Sequence, residues 1–449
     1  MTTGLSPEGG TTAIAALGTL IRGHRLRIGL TQRELADLST ISVRAIRDLE
    51  KGKAQRPRTD TIRLIADGLR LGPRARTALE DAVRRGHPGA GARHHLPLER
   101  SAPPVPLHPL IERRAEAAVV TEELRTGAER LVTVVGLSGV GKTRLALEVA
   151  ARLHGTGLPV LWHTAPGAVA DCLPADDDPL ATLTADCAAH LRGDGHPDDL
   201  PPALALALGD RGALLVLDGA EPATLDAHRL TRLLRDVPGL RLLVTADEPW
   251  NAPGERLFLL SPLEAPDPAR GGVRPDAPAV RLFLGRLRRV RPDLVPDEQD
   301  LAHVAEVCHR LDGHPLALAA AASWLTVCDL PTLRGIVESD PAALLDHLAD
   351  GRSGPRLQDR VARTLGALPP GHRDLITGLC ADGAGEFVLE DVLRLTGRPL
   401  PHCGRVIRDL LISGVVRPST DGGRSAFRVL CVVRALAATA PVPAGTAAA

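Results

Sequence analysis

The sequence predicts a multidomain chain: a small all-α head, an α/β module with a parallel sheet, and a mostly helical C-terminal part. Three observations lead to this fold class. The 449 residues are too many for one hydrophobic core, because a domain usually holds roughly 100–200 residues. Apolar residues recur at helical spacing near the N-terminus, whereas apolar β-type runs alternate with helical stretches over residues 108–263. Beyond residue 264 the pattern is mostly helical again.

The head occupies residues 11–86 and is predicted to consist of short helices. Apolar residues recur there at the spacing of one helix face, at Ile14, Leu17 and Ile21, before Gly29 provides a helix stop. Thr31 and Glu34 have the spacing of a capping box, which predicts that a second helix begins after Thr31. Ser42 is the predicted N-cap of a third helix.

The third of these helices has a basic outer face. Residues at i, i+3 and i+4 share one side of a helix, so Ile46 and Leu49 are predicted to face inward. The outward positions are Val43, Arg44, Arg47 and Lys51. The formal net charge of the whole chain is zero, but residues 1–90 hold 16 Lys and Arg against 9 Asp and Glu. This excess favours a polyanionic partner, with a merely solvated basic surface as the alternative.

Residues 17–52 resemble the helix-turn-helix of XRE/Cro-type DNA-binding proteins. The resemblance implies that the third helix enters the major groove of double-stranded operator DNA while neighbouring residues hold phosphates. The DNA contacts that it implies fall on Gln32, Ser42, Val43, Arg44, Arg47, Lys51 and Lys53. The alternative is a helical domain that contacts only proteins.

An α/β module follows the head. Residues 87–107 mix Pro, Gly and His with little periodicity, which predicts a linker. Beyond it, five apolar runs are of β type, at residues 131–135, 160–162, 214–217, 240–244 and 257–260. Because helical stretches separate these runs, we expect a parallel sheet with helices on both faces.

A phosphate-binding loop is predicted directly after the first of these runs. The segment Gly136-x-x-x-x-Gly141-Lys142-Thr143 is a Walker A motif in its required strand–loop–helix context. In such a loop, backbone N–H groups surround the phosphate oxygens, the lysine reaches the β- and γ-phosphates, and the threonine hydroxyl binds Mg²⁺. The predicted nucleotide site therefore contains Gly136, Leu137, Ser138, Gly139, Val140, Gly141, Lys142 and Thr143.

An acidic residue ends the third apolar run. Residues 213–218 have the pattern of a Walker B strand, whose final aspartate holds Mg²⁺ through water. Thr143 and Asp218 are therefore the predicted Mg²⁺ residues. Glu221 is a candidate catalytic residue that could polarise an attacking water, and an exposed loop carboxylate without a role is the alternative.

Residues 108–440 resemble the STAND class of signal-transduction ATPases, in particular the NB-ARC-like modules of bacterial regulators. Besides Walker A, the similar segments are an opening motif at 110–116, the strand-and-acid segment at 216–221, a lid motif at 308–317 and a closing helix at 427–437. The resemblance adds Arg113, from the opening motif, and Pro315, from the lid motif, to the predicted nucleotide site.

The resemblance also implies a domain order. It predicts a nucleotide-binding domain with a five-stranded parallel sheet at 108–263, a helical lid at 264–350 and a winged helix at 351–440. Residues 441–449 are predicted to be a disordered tail.

Three positions depart from the pattern of that family. Glu112 stands in place of a glycine, His314 in place of a leucine, and Asp247 in place of an arginine expected to contact the γ-phosphate. Without this arginine, one source of charge stabilisation in the transition state is missing. Nucleotide binding is therefore a firmer expectation than hydrolysis, and any ATPase activity is expected to be slow.

The sequence contains no signal for a membrane or for export. The longest apolar stretch, residues 316–327, is shorter than the ~18–20 residues that cross a bilayer, and the first residues lack a basic region. Seven scattered cysteines without a C-x-x-C pair fit a reducing compartment and indicate no zinc site. We therefore expect a cytoplasmic, nucleoid-associated protein without a membrane partner.

Together these motifs predict a transcriptional regulator that binds ATP or ADP with Mg²⁺ and reads double-stranded operator DNA. The nucleotide state is expected to control assembly of the heads into a homo-oligomer. No sensor array follows the predicted winged helix, so a separate sensor protein is a candidate partner. Two alternatives stay open: a DNA-handling ATPase or loader similar to replication initiators, and a defence or signalling NTPase whose head binds a protein.

Overall fold

Two units make up the chain, Met1–His94 and His95–Ala449, which confirms the predicted multidomain organisation. The structure is a computed structural model that describes residues 21, 25, 30–50, 59–69, 102–106, 109–165, 172–173, 181–192, 200–208, 212–221, 225–267, 274–341, 357–381, 385–419 and 425–439. The predicted helix stop at Gly29 and the apolar positions Ile14 and Leu17 lie outside these residues.

The described elements of the first unit are helices. They include α1 (Gln32–Ser39), α2 (Val43–Glu50) and α3 (Thr59–Gly68). The predicted capping box is confirmed, since the Thr31 hydroxyl accepts from the Glu34 N–H and the Glu34 carboxylate accepts from the Thr31 N–H. The buried core is apolar, formed by Ile21, Leu35, Ala36, Ile46, Leu49, Ile62, Ile65 and Leu69.

The second unit contains all the described strands. They are β1 (Val105–Pro106), β2 (Leu131–Val135), β3 (Val160–Thr164), β4 (Cys172–Leu173), β5 (Ala213–Asp218), β6 (Leu240–Ala246), β7 (Arg256–Leu259), β8 (Glu386–Val388), β9 (Val416–Ser419) and β10 (Ala426–Val429). β1 lies within the range predicted to be a linker and pairs antiparallel with β4. Its pairing depends on a segment far away in the sequence, which local composition does not show.

Five of these strands form one parallel sheet in the order β3-β5-β6-β2-β7, as the apolar runs predicted. Every residue of β2 and β5 is buried, because helices cover both faces of the sheet. On one face pack α4 (Arg114–Thr126) and α5 (Lys142–Gly155). On the other pack α6 (Ala181–Arg192), α7 (Leu200–Leu208) and α8 (Ala227–Asp236).

The remaining described part is mostly helical and shares one hydrophobic core. It begins with α9 (Pro278–Val290), α10 (Glu298–Arg310), α11 (Pro315–Trp324) and α12 (Leu330–Ser339), which lie in the range predicted to be the lid. There follow α13 (Leu357–Ala367), α14 (Pro370–Cys380), α15 (Leu389–Thr396), α16 (Leu400–Ile412) and α17 (Cys431–Thr439). This part also contains an antiparallel sheet with the strand order β8-β10-β9.

None of the described helices is both long enough and apolar enough to cross a bilayer.

Candidate nucleotide-binding site and candidate DNA-binding surface

The glycine loop runs from the end of β2 to the first residue of α5. Gly136, Gly139 and Gly141 have φ angles of 155°, 83° and 105°, in the region that favours glycine. A Cβ atom on Gly136 would lie 2.5 Å from the Leu260 carbonyl oxygen, and one on Gly139 would lie 2.8 Å from the Leu316 Cβ. Both glycines are therefore required by close packing as well as by backbone conformation.

Three side chains donate hydrogen bonds to carbonyl oxygens of this loop. Lys142 Nζ lies 2.7 Å from the Gly136 oxygen, His314 Nε2 lies 3.0 Å from the Ser138 oxygen, and Arg113 Nη2 lies 3.0 Å from the Val140 oxygen. In a trans peptide the N–H points away from the neighbouring C=O. The N–H groups of Gly139 and Gly141, which follow Ser138 and Val140, are thus turned away from His314 and Arg113. Phosphate oxygens need donors arranged in this way.

Arg113 is buried and stabilises the glycine loop by hydrogen bonding. Its backbone has a φ of 61°, and its guanidinium also donates to the Ser261 carbonyl oxygen at 2.8 Å. Burial lowers the pKa of Arg113 to about 10, so the guanidinium stays charged at neutral pH. The sequence predicted that Arg113 contacts the nucleotide, and in the structure its described hydrogen bonds go to protein carbonyl groups.

The predicted Mg²⁺ residues are adjacent. The Thr143 hydroxyl donates to Asp218 Oδ1 at 2.8 Å, and the Thr245 hydroxyl donates to the same oxygen at 2.7 Å. Asp218 is 1% exposed, and burial raises its pKa, while the two hydroxyl groups and Lys142 oppose the rise. Hydroxyl and carboxylate oxygens are hard ligands of the kind that Mg²⁺ prefers, so Thr143 and Asp218 fit this cation.

The sequence did not indicate that Thr245 and Asp247 form hydrogen bonds with Asp218 and Lys142. Thr245 lies near the end of β6 and accepts the Gly219 N–H at 2.8 Å, which ties the segment after β5 to the neighbouring strand. Asp247 follows β6 directly and accepts from Lys142 Nζ at 2.7 Å. Their position at the carboxyl end of a strand next to β5 and β2 was the signal that could have identified them.

The turn before α11 forms the other wall of the loop. His314 is buried, and its Nδ1 accepts the Ala317 N–H at 3.3 Å, so the proton of the neutral ring is on Nε2 and points to Ser138. Burial lowers the pKa of His314 to about 4. Pro315 is the first residue of α11, and Leu316 packs on Gly139. The lid motif thus contacts the loop, although the sequence singled out Pro315 rather than His314.

The segment between α16 and β9 also approaches the glycine loop. Gly414 has a φ of 72°, and a Cβ at this position would lie 2.3 Å from the Leu137 nitrogen. Leu411 and Arg417 line a small cavity there together with Gly136 and Val140. The glycine loop therefore contacts three other parts of the second unit: the segment after β7, the turn before α11, and the segment between α16 and β9.

Glu221, the candidate catalytic residue, lies three residues beyond the end of β5. Its side chain is exposed. Its role stays a prediction.

In the first unit, the predicted DNA-contacting residues differ in how they are held. Arg44 and Arg47 are exposed on α2, and Arg44 lies 3.9 Å from Asp48. The Ser42 hydroxyl accepts the Ala45 N–H at 3.2 Å, as expected of an N-cap. Val43 was predicted to project outward, but it packs partly against the core of the head because it is apolar.

Gln32 and Glu50 belong to a hydrogen-bonded group in the head. Gln32 Nε2 donates to Glu50 Oε2 at 2.6 Å, and Arg25 donates to both carboxylate oxygens of Glu50 at 2.7 and 3.0 Å. The Gln32 amide is therefore engaged within the head, which the sequence did not show. Lys51 and Lys53 lie outside the described residues.

Comparison with known proteins identifies the head. Residues 16–79 match the model of a family described as "Helix-turn-helix domain". The first unit therefore carries a helix-turn-helix domain, as the sequence predicted. The match covers this domain alone.

Two relatives from Mycobacterium tuberculosis match part of the chain. "Uncharacterized protein Rv0894" is 34% identical over 206 residues, which is 43% of this chain and 46% of the relative. "Putative HTH-type transcriptional regulator Rv0890c" is 33% identical over 201 residues, 43% of this chain and 20% of the relative. The chain spans less than half the length of these relatives.

The solved structures that match this chain include two proteins from Pyrococcus. A Walker-type ATPase of Pyrococcus abyssi has a TM-score of 0.44 at 13% identity and covers 76% of this chain and 99% of its own. A STAND protein with a tetratricopeptide repeat sensor from Pyrococcus horikoshii has a TM-score of 0.31 at 14% identity and covers 75% of this chain and 43% of its own.

Proposed function

We propose that this chain is a nucleotide-binding, sequence-specific transcriptional regulator. The observation that supports nucleotide binding most strongly is the hydrogen bond of 2.8 Å between the Thr143 hydroxyl and Asp218. It lies at the end of a glycine loop whose Val140 and Ser138 carbonyl groups accept hydrogen bonds from Arg113 and His314. Together they provide oxygen ligands for a cation beside N–H donors for phosphates.

ATP or ADP would bind along this loop with Mg²⁺. The N–H groups of Gly139 and Gly141 would hold phosphate oxygens, and Lys142 would supply a positive charge to the terminal phosphates. Thr143 and Asp218 would hold Mg²⁺, which neutralises phosphate charge when bound. Arg113 and His314 would act by positioning the loop.

The head would bind double-stranded operator DNA through α2. The exposed guanidinium groups of Arg44 and Arg47 support this, because an arginine can form two hydrogen bonds with guanine in the major groove. The name of the Rv0890c relative supports the same function. We assign Lys51 and Lys53 to phosphates.

We further propose that the nucleotide state controls assembly of the chain into a homo-oligomer. The close packing of Gly414 on Leu137 supports this, since a conformational change of the glycine loop would also displace the C-terminal part of the second unit that packs on it. We interpret residues 351–440, with helices around the sheet of β8, β9 and β10, as a winged helix. A separate sensor protein would supply the stimulus.

The nucleotide proposal is tested by Lys142→Ala in the full chain. We expect nucleotide affinity to fall at least about tenfold while the fold is kept, because Lys142 contributes charge to phosphates rather than packing to a core. Binding is measured with a fluorescent ATP analogue, and folding by circular dichroism.

Arg232→Ala is the matched control, since Arg232 is a cation of α8, on the opposite face of the sheet from α5. This variant is expected to bind nucleotide like the wild type. A folded Lys142→Ala protein with unchanged affinity would contradict the assignment of the loop.

A further inference from the structure

An acidic side chain contacts the lysine of the glycine loop. Asp247 Oδ1 lies 2.7 Å from Lys142 Nζ, and the two side chains are 45% and 11% exposed. Asp247 comes directly after β6, which pairs with β2, the strand that leads into the loop. The parallel sheet therefore places a negative charge at the tip of the residue that would bind the terminal phosphates.

The ammonium group of Lys142 has three hydrogen-bond acceptors. They are the carbonyl oxygens of Gly136 at 2.7 Å and Leu137 at 3.4 Å, and the carboxylate of Asp247. An ammonium group has three protons, so a further strong acceptor has to replace one of these partners. The two carbonyl groups belong to the loop itself, whereas Asp247 is the most exposed of the three.

We propose that Asp247 is a specificity-determining residue that makes the site prefer a nucleoside diphosphate to a nucleoside triphosphate. With a diphosphate, Lys142 keeps its contact with Asp247, and the carboxylate lies where a third phosphate would otherwise interact. With a triphosphate, the γ-phosphate and the carboxylate compete for one ammonium group and repel each other. The inference rests on the proposed nucleotide binding and adds which nucleotide is favoured.

The experiment measures the dissociation constants of ADP and ATP for the full chain by isothermal titration calorimetry in Mg²⁺. In Asp247→Asn, which keeps the size of the side chain and removes its charge, we expect affinity for ATP to rise relative to ADP by about tenfold. The ratio of the two constants is the readout, because a general loss of structure would weaken both nucleotides together.

Glu248→Gln is the matched control. Glu248 is the next residue, is exposed and carries the same charge, but no described hydrogen bond or ion pair joins it to Lys142. We expect its ADP-to-ATP ratio to equal that of the wild type. A shift in Asp247→Asn alone supports the inference.

Two results would overturn it: an unchanged ratio in Asp247→Asn with both nucleotides bound, or an equal shift in Glu248→Gln. If neither wild type nor Asp247→Asn binds ADP or ATP, then the proposed nucleotide function itself fails. The two failures are thus distinguishable in one set of titrations.

Discussion

The buried imidazole of His314 is expected to make the stability of the second unit depend on pH. His314 is 1% exposed, and burial lowers its pKa from 6.5 to about 4. Between these values the unfolded chain binds a proton that the folded chain does not, so stability falls as pH drops from 6.5 to 4. The difference of about 2.5 pKa units corresponds to about 3 kcal/mol at pH 4 and below.

We expect His314→Gln to lose less stability on acidification than the wild type. Glutamine cannot be protonated in this range but can donate to the Ser138 oxygen. Between pH 7.5 and pH 5 the wild type should lose about 2 kcal/mol more than the variant. Urea unfolding is followed by tryptophan fluorescence, because Trp162, Trp250 and Trp324 all lie in the second unit. Equal losses in both proteins would contradict the assignment.

Two kinds of basic residue in the head are expected to affect DNA binding differently. Arg47 is exposed on α2 and is proposed to read a base, whereas Lys53 is proposed to hold a phosphate. Arg47→Ala should weaken the free energy of binding to the operator by about 1–3 kcal/mol and change binding to random DNA little. We expect the same of Arg44→Ala. Lys53→Ala should weaken binding to both DNAs equally and reduce the salt slope by about one unit.

Fluorescence anisotropy on operator and random duplexes, at several salt concentrations, separates these effects. Each variant serves as the control for the other. If all the variants weaken both DNAs to the same extent, then α2 does not read bases.

At the scale of elements, short turns connect the glycine loop to the rest of the second unit. Asp312, in the turn before α11, is fully buried and accepts from Arg417 at 3.0 Å, Arg428 at 3.3 Å and the Cys431 N–H at 2.6 Å. Two residues later His314 contacts Ser138. This turn therefore joins the loop to β9, β10 and α17 through a buried charge that would be costly to leave without its partners.

The turn between α16 and β9 gives a test of this connection. We expect Gly414→Ala to disturb the loop, because the new Cβ would meet the Leu137 nitrogen at 2.3 Å and the backbone there has a positive φ. Amide hydrogen exchange in the loop should increase, and nucleotide should dissociate faster.

Gly397→Ala is the matched control for this variant. Gly397 has a φ of 62°, close to that of Gly414, but a Cβ there would meet no atom within 4 Å. The substitution should lower the free energy of unfolding by about 1 kcal/mol through backbone strain and leave the glycine loop unchanged. Identical exchange in the two variants would show that the contact with Leu137 has no effect.

At the scale of the whole molecule, the proposed regulator is expected to act through assembly. If ATP allows the second units to associate, each copy brings one head through the predicted linker, whose residues Val105 and Pro106 form β1 in the structure. Two heads could then occupy half-sites about 34–36 Å apart. Affinity would rise by effective concentration without any new base contact.

We expect ATP and a non-hydrolysable analogue, at saturating concentration, to raise both the sedimenting mass and the affinity for a full operator. The gain in affinity would be up to ~10²–10⁴-fold, and ADP should produce neither effect. A single half-site is the control, since it should show no gain. Mass and affinity that are independent of nucleotide would contradict the switch, and rapid ATP turnover would favour a DNA-handling ATPase.

Features formed by consecutive residues could be predicted from the sequence. The five β-type runs, the capping box at Thr31 and Glu34 and the glycine loop at 136–143 depend on periodicity and spacing over a few residues. The structure contains the sheet and the capping box, with strand ends displaced by a few residues. These signals are local because hydrogen bonding and alternating burial within one element are local.

Tertiary structure alone decided which distant residues meet. Lys142 pairs with Asp247, 105 residues away, and His314 contacts Ser138 across 176 residues. Both contacts follow from the strand order, which puts the end of β6 beside the loop, and from the packing of α11 on Gly139. In the same way, Gln32 was predicted to reach DNA, but the fold brings Glu50 to within 2.6 Å of it. Side-chain partners depend on how elements pack, and packing is a property of the folded chain rather than of any local segment.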